Sequence, residues 1–247
     1  MKASSGAFQP KTDMKAAPKP GKDYTIISLG GSLVVPGDID VTFLKGFRQL
    51  ILSQVKKGRR FIIIVGGGRT CRKYLAAASE IIKLDSEDLD WLGIHSTRLN
   101  AHLLRTIFRD VAHPAIIKNP TEKIIAEKPV IIAAGWKPGC STDYDAVLLA
   151  RNFNAKAVLN LSDIDYVYDK DPDINKDARP LERMTWKEFR RIVGDRWDPG
   201  LNKPFDPVAS KEAQKLGLTV IIMNGKNFQS IENFLGSRPF KGTVIQG

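Results

Sequence analysis

Residues 60–83 read RFIIIVGGGRTCRKYLAAASEIIK. An apolar, largely β-branched run ends in three glycines and gives way to an alanine-rich stretch, the order expected of a strand, a tight turn and a helix. The same order stands upstream, where YTIISLG (24–30) precedes DIDVTFLKGFRQLILSQVKKG (38–58). Two such units in succession argue for a parallel sheet covered by helices on both faces.

Working outward, PAIIKN (114–119), PVIIAAG (129–135), KAVLNLSD (156–163) and LTVIIMNG (218–225) are further candidates for buried strands. A long helix is expected over about 89–111, with Leu92, Leu99, Leu103 and Ile107 at helical spacing. TDYDAVLLARNF (142–153) and DPVASKEAQKLG (206–217) read as helices. Thr185 and Glu188 have the spacing of a capping box, for a helix running to about Val193. The expected fold is a three-layer α/β/α sandwich with a mainly parallel central sheet, one domain over 23–247 behind a disordered basic tail at 1–22.

The chain has 247 residues and is 43% hydrophobic, enough for a sizeable core. No apolar run reaches the ~18–20 residues that cross a bilayer, and the N-terminus lacks the apolar centre of a signal peptide. A cytoplasmic protein with no membrane partner is therefore expected. Cys71 and Cys140 lie in no pattern suited to zinc, and no metal-ligand set is expected. The net charge is +11, and residues 1–22 hold five lysines against one aspartate. Base-stacking aromatics interleaved with basic residues are absent, so nucleic acid is not the expected partner.

In an open parallel sheet, ligands gather where strands end at their carboxyl edge. Four such loops stand out. GGS (30–32) and GGG (66–68), the second backed by Arg69, Arg72 and Lys73, let backbone approach an anion at the start of a helix. In GWKPGCSTDYDA (135–146), Pro138-Gly139 makes a turn, Ser141 and Thr142 supply hydroxyls, and Asp143 falls near a helix start, where its charge suits the dipole. The seven residues from Trp136 to Thr142 exceed what a helix cap requires, so this loop is long enough to wrap a ligand. In SDIDYVYDKDP (162–172), four aspartates with Tyr166 and Tyr168 could form a solvated turn, a metal site or a nucleotide site, and the lack of the glycine and distal glutamate of a calcium loop argues against calcium. No P-loop, protein-kinase or nucleophile-elbow signature is present, and His95, His102 and His113 are scattered.

Taken in order, ISLGGSL, VGGGRTCRKY, DWLGIHSTRLNAHLL, GWKPGCSTDYDAVLLA, LSDIDYVYDKDP, FDPVASKEAQKLG and the terminal GTVI resemble the amino acid kinase superfamily, and within it the uridylate (UMP) kinases of archaeal type. The resemblance implies phosphoryl transfer from ATP, accompanied by Mg²⁺, to UMP, in a homo-oligomer that is commonly a hexamer. By position it places Gly30, Gly31, Ser32, Gly68 and Arg72 at the ATP phosphates and Ser162, Asp163, Tyr168 and Asp171 at the ATP nucleoside. It gives Gly67, Asp90 and the run Trp136, Lys137, Pro138, Gly139, Cys140, Ser141, Thr142 to UMP. The acceptor part would span about 23–155 and the ATP part about 156–247. Arg72, Lys137 and Asp143 are the expected catalytic residues, Lys137 supplying the charge lost where Ser28 replaces the lysine of many relatives. Asp163 stands where asparagine is usual, and Trp136-Lys137 replaces a Thr-His pair. A sibling kinase acting on carbamate, acetylglutamate or aspartate, and a non-catalytic nucleotide- or oxyanion-binding member, are the alternatives.

Overall fold

The computed structural model describes residues 24–125, 127–194 and 203–247; the basic tail expected at 1–22 lies outside them. Among the described residues there are nine strands: β1 (Tyr24–Leu29), β2 (Arg60–Val65), β3 (Val130–Ala133), β4 (Ala157–Ser162), β5 (Val167–Tyr168), β6 (Pro180–Leu181), β7 (Arg183–Thr185), β8 (Thr219–Asn224) and β9 (Thr243–Gln246). The helices are α1 (Gly31–Val34), α2 (Val41–Lys56), α3 (Gly68–Ile81), α4 (Ser86–Ile107), α5 (Thr142–Asn152), α6 (Trp186–Val193), α7 (Pro207–Lys215) and α8 (Phe228–Leu235).

Seven strands form one sheet in the order β3-β2-β1-β4-β8-β9-β7, and β5 and β6 make a separate ribbon. β3, β2, β1, β4 and β8 run parallel, while β9 is antiparallel to β8. Alternation along β2 divides the core in two: Phe61, Ile63 and Val65 pack with Phe47, Leu104 and Phe108 on one face. Ile62 and Ile64 pack with Leu149, Trp186 and Phe205 on the other. Burying each such side chain contributes about 1.5–3 kcal/mol, which is why the central strands carry no polar alternation. No described helix is long and apolar enough to cross a membrane.

Two expectations are corrected. The stretch 114–119 is not a strand; within it Ile117 makes one isolated bridge to Ala133, and the other bridge, Ala112 with Val130, lies just before it. Pro114 has no N–H to give a ladder, and the chain bends between the two points. On α4 the buried residues are Ile94, Ser96, Thr97, Asn100, Ala101 and Leu104; of the expected stripe Leu103 and Ile107 pack partly buried against the core, whereas Leu99 is 62% exposed. The helix turns its small and polar side to the sheet because two loops, described below, bond to it there. The capping box of Thr185 and Glu188 is present on α6.

The turns after β1 and β2 interlock. A Cβ on Gly31 would lie 2.2 Å from the Gly68 nitrogen and 2.6 Å from the Gly66 carbonyl, and Gly68 has φ +63°. Gly31→Ala is therefore expected to destabilise the fold by at least about 1–3 kcal/mol, the scale of forced overpacking. Gly37→Ala, where an added Cβ meets nothing within 4 Å, serves as control, and thermal denaturation of both variants checks the contrast.

Candidate functional site

β1 sends its chain away on the β2 side, while β4 pairs on its other side, so the connections diverge between β1 and β4. At that switch point an open sheet leaves a crevice at its carboxyl edge. A cavity of about 700 Å³ opens there, within the ordinary range for ligand sites.

Its floor is glycine backbone. Gly30, Gly31 and Ser32 come from the first loop, and Gly66, Gly67 and Gly68 from the second. The Asn100 amide, on the buried face of α4, donates to the carbonyls of Gly66 (2.8 Å) and Gly67 (3.1 Å) and fixes the second loop. One turn into α3, Arg72 brings both terminal nitrogens to 3.5 Å from the Ser32 hydroxyl, so it bridges the two loops at the cavity wall. Neither Arg69 nor Lys73 lines the cavity, and the Lys73 ammonium lies 3.8 Å from Asp38.

The loop between β3 and α5 is tied down along its length. The Gly135 N–H donates to the Thr97 hydroxyl (2.8 Å), and the Trp136 N–H to the Asp145 carboxylate (3.0 Å). Arg98 donates to the Trp136 carbonyl (3.1 Å). The Gly139 N–H, at a residue with φ +79°, donates to Asp90 (2.7 Å). Asp90, Ile94 and Thr97 share one face of α4 through i, i+4, i+7 spacing, so a single helix face is the backstop of this loop. Ser141 caps α5 by accepting from the Tyr144 N–H (3.1 Å). Cys140, Ser141 and Thr142 reach the cavity; Trp136, Lys137, Pro138 and Gly139 do not line it. The Lys137 ammonium instead lies 4.2 Å from the centroid of the Trp136 ring, a cation–π placement.

Asp143 is not a cap. Its carboxylate accepts from the Ser28 hydroxyl (2.8 Å), the Asn160 amide (3.1 Å) and the Asp206 N–H (3.1 Å). These bonds join β1, β4 and the start of α7 beneath the cavity. Burial pushes the Asp143 carboxyl up to about 6, with the Ser28 hydroxyl pulling it back and the neighbouring Asp206 raising it. Asp145 is fully buried, and burial raises it to about 7 against the pull of the Trp136 N–H and of Lys137. One Asp145 oxygen has no partner among the described residues. Burial also raises both cysteine thiols, Cys140 to about 11, so they stay protonated at neutral pH.

Ser162 and Asp163 line the cavity, but Tyr168 and Asp171 do not. Tyr168 lies in β5, and Asp171 closes a local turn by accepting from the Asp173 N–H (2.9 Å). Asn100, Thr97, Asp145, Asn160 and Asp206 were not singled out from the sequence. Their signal is a polar residue at a position whose neighbours in the same helix or strand are apolar. Lys203, which also lines the cavity, carried no such signal. Among the described residues no group of His, Cys, Asp and Glu could hold a metal ion, and the Asp143 oxygens are taken by three donors. Among the described residues, the chain's own groups therefore do not fit a resident metal.

An acid whose folded pKa is raised binds its proton longer in the native state, so stability falls as pH climbs from the unfolded value toward the folded one. For Asp145 that window runs from about 4 to about 7. Asp145→Asn is expected to gain stability relative to the parent chain between pH 5 and pH 8, on the order of 2 kcal/mol. Denaturant unfolding at the two pH values checks this; equal pH dependence in both proteins would clear Asp145 as the titrating group.

Residues 23–224 match the profile of the amino acid kinase family. A uridylate kinase from Methanospirillum hungatei JF-1 is 32% identical over 223 residues, covering 89% of this chain and 93% of its own. One from Hyperthermus butylicus is 30% identical over 228 residues, 92% of this chain and 99% of its own. Among solved structures, uridylate kinase from Archaeoglobus fulgidus superposes with a TM-score of 0.76 at 28% identity, over 90% of this chain and 99% of that one. With the family profile matched over residues 23–224 and relatives of 30% identity or more aligned over about nine-tenths of its length, the chain belongs to the amino acid kinase family.

Proposed function

We propose that the protein transfers the γ-phosphoryl group of ATP to UMP, giving ADP and UDP, in cytoplasmic pyrimidine nucleotide biosynthesis. What supports the reading is the meeting of two glycine loops, Arg72 and the β3–α5 loop around one cavity, in a chain whose similar proteins carry the name uridylate kinase. The donor phosphates would lie on Gly30–Ser32, Gly68 and Arg72, and the ATP nucleoside beside Ser162 and Asp163. UMP would rest on Gly67 and on Cys140, Ser141 and Thr142, with Asp90 at its ribose. The acceptor part is 23–155 and the donor part 156–247. For Tyr168, Asp171 and Trp136–Gly139 to join the site, ligand binding would have to draw them toward it.

Phosphoryl transfer asks for positioning and charge stabilisation above all. The acceptor is a phosphate monoester with a second pKa of about 6, already ionised at neutral pH, so no general base is required. Asp143 has the role of an organiser: it holds Ser28, Asn160 and the start of α7 in register around the reacting groups. Arg72 neutralises charge on the transferring group. Mg²⁺ belongs to the proposal as the ion that accompanies ATP.

A homo-oligomer, in hexameric form, is part of the same reading. α3 has no buried residue, and Tyr74, Ile81, Ile82, Trp91 and Leu99 on α3, α4 and their connection are exposed apolar groups, a surface that suits a second copy. Light scattering on the purified protein checks the assembly.

ADP release measured with UMP, CMP, dUMP, AMP and the amino-acid-type substrates tests the activity. UMP is expected to turn over fastest; a faster CMP or amino acid, or tight ATP binding without turnover, would overturn the assignment. Thr142→Ala should raise the KM for UMP more than that for ATP, and equal effects would remove it from the acceptor site. Arg72→Ala should lower kcat by roughly 10²–10³, the scale of one preorganised donor, and an unchanged kcat would exclude it.

A further inference from the structure

The first turn of α5 holds a residue that its own surroundings do not suit. Asp145 is fully buried, and so are Ala146, Val147, Leu148, Leu149 and Ala150 after it. One of its oxygens has no partner among the described residues, and burial makes its charge costly. An apolar side chain in such a place is commonly as stable or more so. Where a position breaks a local rule at a cost to the fold, a role elsewhere is the usual reason, and the partners of Asp145 show which role.

Asp145 holds the β3–α5 loop at two points. Its carboxylate accepts from the Trp136 N–H (3.0 Å), close to where the chain leaves β3. Its own N–H donates to the Ser141 carbonyl (3.0 Å), where the chain enters α5. Trp136 to Ser141 is thereby closed into a ring on one residue, with the Cys140 N–H donating to the Lys137 carbonyl (3.2 Å) as a cross-tie inside it. Cys140 and Ser141 reach the cavity from this ring, and Thr142 follows directly. The bond to Ser141 is the ordinary i to i−4 bond of a helix's first turn, which any residue at 145 except proline would make. The bond to Trp136 belongs to the carboxylate alone.

We propose that Asp145 is a positioning residue for the phosphate acceptor: by holding the Trp136 N–H, its carboxylate keeps the β3–α5 loop in the shape in which Cys140, Ser141 and Thr142 meet that ligand. The inference rests on the phosphotransfer reading above. Asp145 does not line the cavity, so it acts through the loop, and the acceptor feels its loss more than the donor does. The bond is charge-assisted when the carboxyl is ionised. Lys137 in the loop favours that charge, while the Cys140 thiol and the Tyr144 phenol stay neutral around pH 7 because burial raises both. The strands and the helix packed on α5 offer apolar side chains of the shared core, Ile26, Ile62, Val158 and Ala209. The acidic groups of α7 and its cap are engaged, Asp206 by the Ala209 N–H and Glu212 by Arg151. Ionisation of Asp145, centred at about 7, thus costs the fold as a whole and tightens this one bond.

The test uses the full chain with Asp145→Leu, which removes the accepting oxygen, and Asp145→Asn, which keeps one without the charge. Initial rates of ADP release give the KM for UMP and for ATP, amide hydrogen exchange reports on the Trp136 N–H, and thermal melting checks folding. Asp145→Leu should raise the KM for UMP by about fivefold or more and speed Trp136 exchange by about tenfold or more, with the KM for ATP within about twofold of the parent. Asp145→Asn should recover most of both effects. Equal rises in the two KM values, an unchanged Trp136 exchange, or an Asp145→Asn protein as impaired as Asp145→Leu overturns the inference. Should Asp145→Leu not fold, the pH profile decides. The KM for UMP of the parent divided by that of Asp145→Asn, a ratio in which the ionisation of UMP itself cancels, should fall between about pH 6 and about pH 8, and a constant ratio overturns the inference. If the parent chain releases no ADP with UMP, the substrate reading fails, and Trp136 exchange in the two variants still decides whether Asp145 closes the loop.

Discussion

The backbone contact between Gly31 and the Gly66–Gly68 turn is the constraint on which the rest of the site depends. Any side chain at Gly31 would overlap the second turn, with a Cβ only 2.2 Å from the Gly68 nitrogen. Around this contact the Gly66 N–H donates to the Leu29 carbonyl (2.9 Å) and the Arg69 N–H to the Val35 carbonyl (2.8 Å). The ends of β1 and β2 are thereby locked, and α1 and α3 leave from nearly one point. A cavity floor made of backbone follows, and with it an arginine one turn into α3 that can reach the first loop.

A second constraint is electrostatic. Carboxylates beneath a phosphate site would repel its ligand if they were fully charged and free. The protein handles two buried carboxylates at the start of α5 in different ways. Asp143 is surrounded by three donors and half-titrated near pH 6, so part of its charge is neutralised and the rest is spread over hydrogen bonds. Asp145 is sealed in the core with one oxygen unpartnered among the described residues, an environment that keeps its proton bound up to near neutrality. Ser28 fits this design: a hydroxyl can donate to Asp143 without bringing the desolvated ammonium that a lysine would place in the sheet.

The strands of the sheet's parallel part were legible because burial on both faces leaves a mostly apolar run, interrupted near its end by Ser28 in β1 and by Asn160 in β4. The 114–119 stretch has the same look, yet Pro114 breaks its ladder, an effect that local composition hides. Nor does the glycine pattern reveal its own cause. Gly31, Gly66 and Gly68 were read as making room for an anion, and the structure adds that they first make room for one another. Asp143 was read from its position at a helix start, but its partners Ser28 and Asn160 are 115 and 17 residues away. Contacts across such separations leave no local trace. The inward face of α4 was read only in part: Leu103 and Ile107 do pack against the core, but Leu99 is exposed, and Thr97 and Asn100 are the residues that meet the loops.

α4 also has a mechanical meaning. Asp90 and Thr97 hold the β3–α5 loop, and Asn100 holds the second glycine turn, all from one continuous helix of 22 residues. A helix rises about 1.5 Å per residue and is stiff along its axis, so the roughly 15 Å between Asp90 and Asn100 is a fixed ruler. The two walls of the cavity cannot drift apart without breaking a hydrogen bond at one end of that ruler. Sliding or tilting α4 would move both walls together, which makes this one helix the shaft through which a load on either wall is felt at the other.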